Sequence, residues 1–448
     1  MVILGLGSNV GDRLSHLRKA LRAIREEKDL TVQQVSPLYL SDALLPDHAP
    51  SDWDRPHLNF AIRCETPLEP LALLHILKNI EWSIGRKPEV RHWGPRILDI
   101  DILAWEDFTL ASEALTVPHM NLIERPFALW PLADIAPLWR FPLSGPYQGK
   151  TAAELVEKWG SRFTREAPLR TVQLNQRLEN PQLMGILNVT PDSFSDGGQF
   201  VQVDVAVQHA LELVKAGAEI IDIGAESTSP RAQALTAQEE WTRLEPVLKA
   251  IALIKKDFLL PPLISIDTRH AEVAEKALAY SIDWINDVSG LDHVRMREIV
   301  REAKITCVIM HHLMLPERRD CVLPRDQDPI QALLAWGQQR LALLLEFGLT
   351  QDQLIFDPGI GFGKMAEQSL EVIKHIPAFK QLGTKILIGH SRKTFLSLFS
   401  KEPFANRDIE TATLSLYLAQ QGVDYLRIHQ PETTARALKV MDLMGGEN

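Results

Sequence analysis

Residues 183–198 read Leu-Met-Gly-Ile-Leu-Asn-Val-Thr-Pro-Asp-Ser-Phe-Ser-Asp-Gly-Gly. The apolar beginning of this stretch, residues 183–189, predicts a buried strand. The Thr-Pro-Asp-Ser and Asp-Gly-Gly segments that follow are typical of turns. Asn188 stands at the end of the strand. Loops after the carboxyl ends of parallel strands are where α/β proteins build their sites, so the stretch predicts a strand that presents polar side chains to a ligand.

The same alternation of apolar strand and polar loop recurs through the rest of the chain. Apolar runs predict strands at 183–189, 219–224, 263–267, 284–288, 306–310, 354–357, 385–389 and 425–429. Helical patterns lie at 203–216, 237–256, 270–280, 294–303, 329–347, 367–379, 408–421 and 432–443. This repeat over residues 182–448 favours a (β/α)8 TIM barrel. A doubly wound open sheet is the alternative, but no G-x-G-x-x-G follows the first strand.

Polar side chains stand at the predicted carboxyl ends of these strands. One group combines carboxylates, an amide and a cation: Asp267, Asn286, Asp357 and Lys393. That mixture suits a flat heteroaromatic ring with amino and keto edges. A second group supplies donors for an anion: Asn188, Thr228, Arg427 and His429. The carbonyl of Asn188 is also a candidate Mg²⁺ ligand. Each residue alone could be a cap or a buried hydrogen bond, but their shared position at strand ends indicates a site.

Residues 1–143 carry a different pattern, with strands predicted at 2–6, 30–40, 58–64 and 97–103 and helices at 12–26 and 67–84. Asp99 and Asp101 are two residues apart in the last of these strands, so both carboxylates lie on one face. A cationic loop, residues 85–96, precedes them. Two carboxylates beside arginines are what a Mg²⁺-nucleotide site requires. The alternative is a solvated sheet face with surface ion pairs.

The composition bounds the classes of partner. The chain has 448 residues, which predicts two or three domains, and a formal net charge of −10, which argues against nucleic acid or an anionic membrane as partner. Its three cysteines lack C-x-x-C spacing, and no apolar run approaches the ~18 residues of a membrane span. We therefore expect a cytoplasmic enzyme that acts on small-molecule substrates. We also expect two domains, 1–143 and 182–448, which are joined by a structured linker, residues 144–181.

The first domain carries four recognisable motifs: Leu6-Gly-Ser-Asn9, Trp93-Gly-Pro-Arg96-x-Leu98-Asp99-x-Asp101, Val117-Pro-His119 and Arg125-Pro-Phe127-x-Leu129-x-Pro131-Leu132. Together they resemble those of 6-hydroxymethyl-7,8-dihydropterin pyrophosphokinase. The resemblance covers nearly all of residues 1–143. It implies a ferredoxin-like α+β fold that transfers the pyrophosphoryl group of ATP to the CH₂OH group of the pterin.

This resemblance implies roles for individual residues. Asp99 and Asp101 would bind two Mg²⁺ and, with Arg96, would be catalytic. Asn59 would hydrogen-bond the pterin and Phe127 would stack on it. ATP, a substrate, would be bound by a larger set: Lys78, Glu81, Arg86, Trp93, Arg96, His119 and Arg125.

The second domain carries seven motifs: Met184-Gly-Ile-Leu-Asn188-Val-Thr-Pro-Asp-Ser-Phe-Ser-Asp-Gly-Gly198, Asp222-Ile-Gly-Ala-Glu-Ser-Thr228, Ser265-Ile-Asp267-Thr, Ile285-Asn286-Asp-Val, Asp357-Pro-Gly-Ile-Gly-Phe-Gly-Lys364, Gly389-His-Ser-Arg-Lys393 and Arg427-Ile-His429. They resemble those of dihydropteroate synthase. The resemblance spans residues 182–448 and implies a barrel that joins dihydropterin pyrophosphate to p-aminobenzoate and releases pyrophosphate.

By this resemblance, each of the two polar groups of the barrel receives part of one substrate. Pterin would be bound by the first group: Asp267, Asn286, Asp357 and Lys393. Pyrophosphate and its Mg²⁺ would be bound by the second: Asn188, Thr228, Arg427 and His429. The p-aminobenzoate pocket would be lined by Phe362, Lys393 and Thr394. Catalysis would involve Asp192, near the developing pterin cation, together with Lys393 and Arg427.

Some residues depart from the two family patterns. His57 stands where a Tyr or Phe is usual, and Pro88 and His92 occupy positions of the cationic loop that are often basic. After Thr228 the chain reads Ser229-Pro230-Arg231 where Arg-Pro-Gly is usual. We expect these changes to alter loop contacts and affinities and not to remove the chemistry.

The sequence thus predicts a bifunctional folate-biosynthesis enzyme that uses pterin, ATP and p-aminobenzoate, and a homodimer through the barrel domain. Three alternatives remain open from the residues alone. The first domain could be a scaffold, the barrel could bind a methyl-pterin for transfer to a corrinoid protein, or the barrel could bind pterin without catalysis.

Overall fold

In a computed structural model the chain forms two compact units. One contains residues 1–179 together with the chain end from Leu438, and the other spans Asn180–Ala437. The structure describes residues 1–86, 94–189, 199–226, 234–255, 258–315, 318 and 320–444. Within these ranges no helix is both long enough and apolar enough to cross a membrane.

The first unit is an antiparallel sheet with helices. Its strands are β1 (Val2–Ser8), β2 (Thr31–Val35), β3 (Tyr39–Ser41), β4 (His57–Glu65), β5 (Asp99–Trp105), β6 (Leu110–Ala111), β7 (Thr116–Val117) and β8 (Val172–Gln173). Its α-helices are α1 (Arg13–Glu26), α2 (Pro70–Ile84), α3 (Pro126–Ile135) and α4 (Ala152–Val156). Short 3₁₀ helices lie at Ser51–Trp53, Leu122–Glu124, Glu157–Trp159 and Pro168–Arg170.

Among the described residues, the main sheet of this unit has the strand order β5-β1-β4-β3-β8. Strand β2 also pairs with β4, on the same edge as β3. The predicted α+β class of the N-terminal domain is confirmed. Most of the segment 144–181 belongs to this unit. Its strand β8 extends the sheet, because Val172 pairs with Leu40 and Gln173 with Tyr39.

The predicted strand 30–40 is in fact two strands, β2 and β3. The break falls at Ser36-Pro37, where proline has no backbone N–H to donate to a neighbouring strand. The Ser36 hydroxyl instead accepts a hydrogen bond from the backbone N–H of Ala61 (2.9 Å). The strand is therefore interrupted at Pro37, and β3 continues antiparallel along β4.

The second predicted helix begins later than its sequence suggested. It starts at Pro70 and not at residue 67. The hydroxyl of Thr66 accepts a hydrogen bond from the backbone N–H of Leu68 (3.2 Å), which stabilises a turn before the helix. Pro70 occupies the first helical turn, where its missing N–H has no cost. The helix ends at Gly85, whose φ of +118° lies in the left-handed region.

The second unit alternates parallel strands with helices. Its strands are β9 (Gln182–Asn188), β10 (Ile220–Gly224), β11 (Leu263–Asp267), β12 (Trp284–Asp287), β13 (Thr306–Met310), β14 (Leu354–Asp357), β15 (Lys385–Ile388) and β16 (Tyr425–Ile428). The α-helices are α5 (Gln199–Lys215), α6 (Ala237–Ile254), α7 (Ala271–Ala277), α8 (Val294–Ala303), α9 (Pro329–Glu346), α10 (Ala366–Lys374), α11 (Asp408–Gln420) and α12 (Pro431–Met444). Single 3₁₀ helices follow several of these elements, at Leu278–Tyr280, Gln351–Gln353, Ile376–Leu382, Thr394–Leu398 and Phe404–Asn406.

In the described part of the chain these strands close into an eight-stranded parallel barrel. Closure is made by β16 on β9, with Tyr425 opposite Gln182 and Ile428 opposite Gly185. One apolar cluster draws a buried side chain from nearly every strand: Met184, Ile220, Trp284, Val308, Ile355, Leu387 and Tyr425. The predicted (β/α)8 TIM barrel is confirmed, and the open-sheet alternative is wrong because the first and last strands are hydrogen-bonded to each other.

The loop after β14 is shaped by a glycine. Gly359 has a φ of +66°, and a Cβ at this position would lie 2.1 Å from the backbone oxygen of His311. A side chain there would meet both an unfavourable backbone conformation and a rigid neighbour. Gly359 therefore lets this loop lie against the end of β13.

We expect Gly359→Ala to lower the free energy of unfolding of the barrel by more than about 2 kcal/mol, because steric overlap adds to the positive-φ strain. Gly348→Ala is the matched control, since Gly348 also has positive φ (+97°) but its added Cβ would lie 3.4 Å from a flexible Arg301 side chain. That variant should lose only about 1 kcal/mol. Urea denaturation of both variants measures the difference, and equal losses would contradict the overlap.

Candidate active sites

The floor of the first site is formed by three adjacent strands. Gly7 of β1 is paired with Asp99 of β5 on one side and with Asn59 of β4 on the other. Gly5 of β1 is likewise opposite Asp101. Gly7 keeps the position beside the Asn59 amide free of a side chain, since a Cβ on Gly7 would lie 3.1 Å from the Asn59 side-chain oxygen. The sequence spacing thus places the carboxylates and the amide around one open strip of sheet.

A cavity of about 350 Å³ lies over this strip. Most of the residues predicted for the first site line it: Asn59, Arg96, Asp99, Asp101, His119, Arg125 and Phe127. His57 also lines it. Burial lowers the pKa of both His57 and His119 to about 4, with added contributions from nearby arginines. Both imidazoles are therefore neutral at pH 7 and can act as hydrogen-bonding groups without adding charge.

The two carboxylates of this cavity differ in charge state. Asp99 accepts a hydrogen bond from Arg86 Nη1 at 2.6 Å on one oxygen, and Arg96 is paired with its other oxygen. Burial alone would raise the pKa of Asp99, but the charges of Arg96, Lys78 and Arg86 together lower it. Asp101 has its pKa raised to about 7 by burial and then by the charge of Asp99. A cation beside Asp99 and Asp101 would offset the repulsion between their charges and favour the ionised form of Asp101.

Glu81 lies behind this site and anchors it. Its side chain is fully buried, and its carboxylate accepts hydrogen bonds from Lys78 Nζ (2.7 Å), from the backbone N–H of Ile100 (2.7 Å) and from Arg86. These contacts hold Lys78 and Arg86 beside β5. Direct contact of Lys78, Glu81 and Arg86 with ATP stays a prediction, because they lie outside the lining of the cavity.

The second site lies at the carboxyl rim of the barrel, where residues near the ends of four neighbouring strands are in register. Gly224 of β10 is in register with Asn188 of β9 and with Asp267 of β11, and Asp267 is in register with Asn286 of β12. Asn188 is exposed at this rim. The parallel pairing thus brings one predicted anion ligand and two predicted pterin ligands to one height.

The other side of the rim converges around Gly389, directly after β15. A Cβ built on Gly389 would lie 4.0 Å from each of Asp357 Oδ2, Lys393 Nζ and Arg427 Cβ. Arg427 reaches across the rim, and its Nη2 donates to Asp267 Oδ2 at 2.6 Å. The predicted pterin ligands and Arg427 are therefore parts of one cluster.

His429 is held beside Arg427 at the end of β16. Its Nδ1 lies 3.0 Å from the Ser391 hydroxyl, and the ring of Phe404 packs edge-on against it at 5.8 Å. Burial, followed by the charges of Arg427 and Arg392, lowers the pKa of His429 to about 3. The His429 imidazole is therefore neutral at pH 7, and the positive charge beside it belongs to Arg427.

The predicted p-aminobenzoate residues lie close to one another. Lys393 Nζ is 4.5 Å from the ring centroid of Phe362, and it donates to the backbone oxygen of Ile360. A 3₁₀ helix of five residues, Thr394–Leu398, follows Lys393. Thr394 itself is exposed beside Lys393.

Comparison with known proteins identifies both units. Residues 184–429 match the family model of the pterin binding enzymes, and residues 3–137 match that of 7,8-dihydro-6-hydroxymethylpterin-pyrophosphokinase. The folate synthesis bifunctional protein of Chlamydia muridarum is 40% identical over 445 residues, which is 98% of this chain and 96% of the relative. The chain belongs to the bifunctional folate-synthesis family.

Members of this family join two consecutive reactions in one chain. The first unit of the folate-synthesis enzyme is the pyrophosphokinase, with ATP as substrate, and the barrel is the dihydropteroate synthase. The mitochondrial folate synthesis bifunctional protein of Arabidopsis thaliana is 34% identical, over 99% of this chain and 83% of that relative. The predicted activity, pterin pyrophosphorylation followed by condensation to dihydropteroate, is confirmed at this level. The scaffold, corrinoid-transfer and non-catalytic alternatives are not favoured.

Solved structures resemble the synthase barrel. The dihydropteroate synthase of Anaplasma phagocytophilum, solved with bound 6-hydroxymethylpterin-monophosphate, is 37% identical with a TM-score of 0.54 and covers 59% of this chain and 99% of its own. The Xanthomonas albilineans dihydropteroate synthase with 4-aminobenzoic acid is 33% identical with a TM-score of 0.54, over 61% of this chain and 95% of its own.

Two buried polar residues of the enzyme, Asn9 and Asp222, have no role in the predictions from sequence. Asn9 holds the backbone of Arg96, since its side-chain oxygen accepts from Arg96 N at 2.7 Å and its own N–H donates to Arg96 O at 3.1 Å. Asp222 is fully buried within β10 and contacts Arg427. A lone carboxylate inside the apolar run Ile220-Ile221-Asp222-Ile223 was the available signal, because an unpaired buried charge is very costly.

Several predicted residues of the enzyme lie outside the described residues: Trp93, Asp192 and Thr228, together with the departures Pro88, His92, Ser229 and Arg231. Their roles stay predictions.

The ionisation of Asp267 gives the synthase barrel a pH-dependent stability. Burial, with a further contribution from Asp222, raises the pKa of Asp267 to about 7 from an ordinary value of 3.8, although Arg427 opposes the shift. The folded state therefore binds this proton more tightly than the unfolded chain. The contribution of Asp267 to the free energy of unfolding then falls as pH rises from about 4 to 7.

Asp267→Asn removes the ionisable group. We therefore expect the free energy of unfolding of the variant, relative to that of the wild type, to be higher at pH 8 than at pH 5 by about 1 kcal/mol or more, since one pKa unit is about 1.4 kcal/mol. Denaturant unfolding of wild type and variant at both pH values measures this difference. A stability difference that does not change with pH would contradict the raised pKa.

Proposed function

We propose that Asp99 and Asp101 are the Mg²⁺ ligands of the pyrophosphokinase unit. Both side chains offer hard oxygen donors on one face of β5, and Mg²⁺ usually takes one or two carboxylates and completes its shell with water and phosphate. Among the described residues no cluster of three or more His, Cys, Asp or Glu side chains could hold a metal. The other ligands would thus come from ATP and water. A cation held there neutralises phosphate charge.

Arg86 and Arg96 are the proposed phosphate ligands, and in the structure both are paired with Asp99. Phosphate oxygens match the planar guanidinium group better than a shared carboxylate does. When ATP enters, the two arginines would exchange Asp99 for phosphate oxygens, which leaves Asp99 free for the cation. His119 and Arg125 complete this set and line the cavity together with Arg96, and Glu81 acts through Arg86 and Lys78.

Asn59 and Phe127 are proposed to hold the pterin at the other part of the cavity. The amide of Asn59 is anchored by a hydrogen bond to the hydroxyl of Ser41 (3.1 Å), so its orientation is set before the substrate enters. The hydroxymethyl oxygen of the pterin attacks the β-phosphorus of ATP. The bond from that phosphorus to the α-phosphate oxygen breaks, AMP leaves, and the hydroxyl proton is released.

In the synthase barrel, four side chains are proposed to recognise the pterin ring: Asp267, Asn286, Asp357 and Lys393. Asp357 and Asn286 are nearly fully buried, and a site built from buried polar groups discriminates strongly against ligands that leave them unpaired. Anion ligands are proposed beside them: Asn188, Thr228, Arg427 and His429. Asn188 has an exposed amide at the rim, so its carbonyl fits a Mg²⁺ that is shared with pyrophosphate oxygens.

The condensation then needs an amine beside the pterin methylene group. Phe362, Lys393 and Thr394 are proposed to receive p-aminobenzoate. Its nitrogen forms the new bond to the methylene carbon, the carbon–oxygen bond to pyrophosphate breaks, and the nitrogen loses a proton. Arg427 stays with the departing pyrophosphate, and Asp192 is proposed near the positive charge that develops on the pterin. Exclusion of water protects that carbon from hydrolysis.

The wider context of the enzyme is also proposed from its sequence. We infer a homodimer through the barrel domain, a cytoplasmic location, and the domain boundaries 1–143, 144–181 and 182–448. Size-exclusion chromatography with light scattering tests the first of these.

The single observation that carries the proposed kinase site is the cavity of the first unit, because it gathers proposed pterin, phosphate and metal ligands in one space. We expect the purified chain to convert 6-hydroxymethyl-7,8-dihydropterin, Mg-ATP and labelled p-aminobenzoate into labelled dihydropteroate, AMP and pyrophosphate. Omission of ATP is the control and should abolish the label in product. AMP production without pyrophosphate release would instead favour a barrel of the methyl-pterin class.

We expect Asp99→Asn to lower AMP production by more than about 100-fold, because loss of even an outer partner of a metal ligand costs about 10–100-fold. The same variant should still make dihydropteroate when dihydropterin pyrophosphate is supplied, since Asp99 belongs to the kinase unit. Each activity thus controls for the integrity of the other. Unchanged AMP production would overturn the metal assignment.

A further inference from the structure

Asp222 lies in β10, in register with Ser265 of the next strand, and its side chain has no solvent exposure. Both of its carboxylate oxygens are used. Oδ1 accepts from the Ser265 hydroxyl at 2.6 Å, and Oδ2 accepts from Asn286 Nδ2 at 3.0 Å and from Arg427 Nε at 2.6 Å. One buried group therefore contacts three other strands of the barrel, β11, β12 and β16.

The two side chains that donate to Oδ2 are proposed to bind different ends of the substrate. Asn286 is a proposed pterin ligand, and Arg427 is a proposed pyrophosphate ligand. Arg427 is also bound to Asp267 through Nη2 at 2.6 Å, so two carboxylates fix the plane of its guanidinium group. Two contacts along one planar fork leave the group little freedom to rotate.

We propose that Asp222 is a positioning residue that orients Asn286 and Arg427 together and so fixes the distance between the pterin end and the pyrophosphate end of the synthase site. This inference rests on the proposed function of those two residues. A hydrogen bond to a charged partner in a buried network both strengthens and directs that partner.

The competing interpretation is that Asp222 only balances the charge of Arg427 within the fold. Both interpretations predict a loss of stability when Asp222 is changed, because removal of one partner leaves a buried charge uncompensated. They differ in what happens to the ligands. Charge balance alone predicts no selective effect on the two ends of the substrate, whereas positioning predicts that both ends lose affinity while the p-aminobenzoate pocket does not.

The test uses the full chain in the synthase assay, with dihydropterin pyrophosphate and p-aminobenzoate as substrates. 6-Hydroxymethyl-7,8-dihydropterin is the probe of the pterin end, and inorganic pyrophosphate with Mg²⁺ is the probe of the anion end. Both are measured as inhibition constants against dihydropterin pyrophosphate, so that binding of the pterin alcohol to the kinase unit does not enter the measurement. The KM for p-aminobenzoate is the third readout.

We expect Asp222→Asn to raise both inhibition constants by about tenfold, the size expected when a hydrogen bond to a charged group is lost, with an unchanged KM for p-aminobenzoate. Ser265→Ala is the milder second variant, because it removes only the contact that holds Oδ1. It should raise both constants by about threefold, which keeps the test valid if Asp222→Asn fails to fold.

Asp424→Asn is the matched control. Asp424 precedes β16, the strand of Arg427, and accepts hydrogen bonds from Ile386 N (2.9 Å) and Asn180 Nδ2 (3.0 Å). This variant should lose stability but keep all three kinetic constants. If Asp222→Asn and Ser265→Ala behave like it, the positioning role is overturned. A rise confined to one probe, or an equal rise in the KM for p-aminobenzoate, overturns it as well.

Asn286→Ala and Arg427→Lys separate this inference from the proposed function. Asn286→Ala should raise the constant for the pterin alcohol, and Arg427→Lys the constant for pyrophosphate. If neither variant changes its probe, the proposed ligands themselves are wrong. If both variants raise the constant of their probe and Asp222→Asn raises neither constant, only the proposed role of Asp222 is wrong.

Discussion

Parallel pairing in a closed ring forces every strand of the barrel to end at the same rim, and the synthase site depends on this constraint. Each strand can end in one or two polar residues without disturbing the apolar interior, because side chains below the rim pack against one another. Asn188, Asp267 and Asn286 reach one height because their strands are in register. Gly389 leaves the space into which Asp357 and Lys393 project.

Both units contain carboxylates paired with arginines at their proposed sites. The kinase unit pairs Asp99 with Arg86 and Arg96, and the barrel pairs Arg427 with Asp222 and Asp267. Buried charges of one sign would be very costly without such partners. In each unit one carboxylate nevertheless has its pKa raised to about 7. A raised carboxylate pKa means that ionisation of the group lowers the free energy of unfolding. Such a loss of stability is common where charges are arranged to bind a ligand.

Much of the fold could be predicted from the sequence because the strand and helix periods are regular. The barrel strands fall within one or two residues of their predicted bounds. The errors have local causes: Pro37 divides a strand, and Thr66 delays the start of a helix. Site residues at strand ends are visible as polar interruptions of apolar runs. Asp222 and Asn9 were missed because their partners are distant in sequence, and only the folded chain brings these contacts together.

The end of the chain has a consequence for the order of folding during synthesis. Helix α12 spans Pro431–Met444, and the stretch from Leu438 belongs to the first unit. There Asp442 binds Arg177 (2.6 and 3.0 Å), and Lys439 binds Asn175 (2.8 Å). A ribosome must therefore translate the whole barrel before it makes this segment of the kinase unit. The kinase unit is thus discontinuous in sequence, and a break between Glu179 and Asn180 would leave the segment that begins at Leu438 on the piece that carries the barrel.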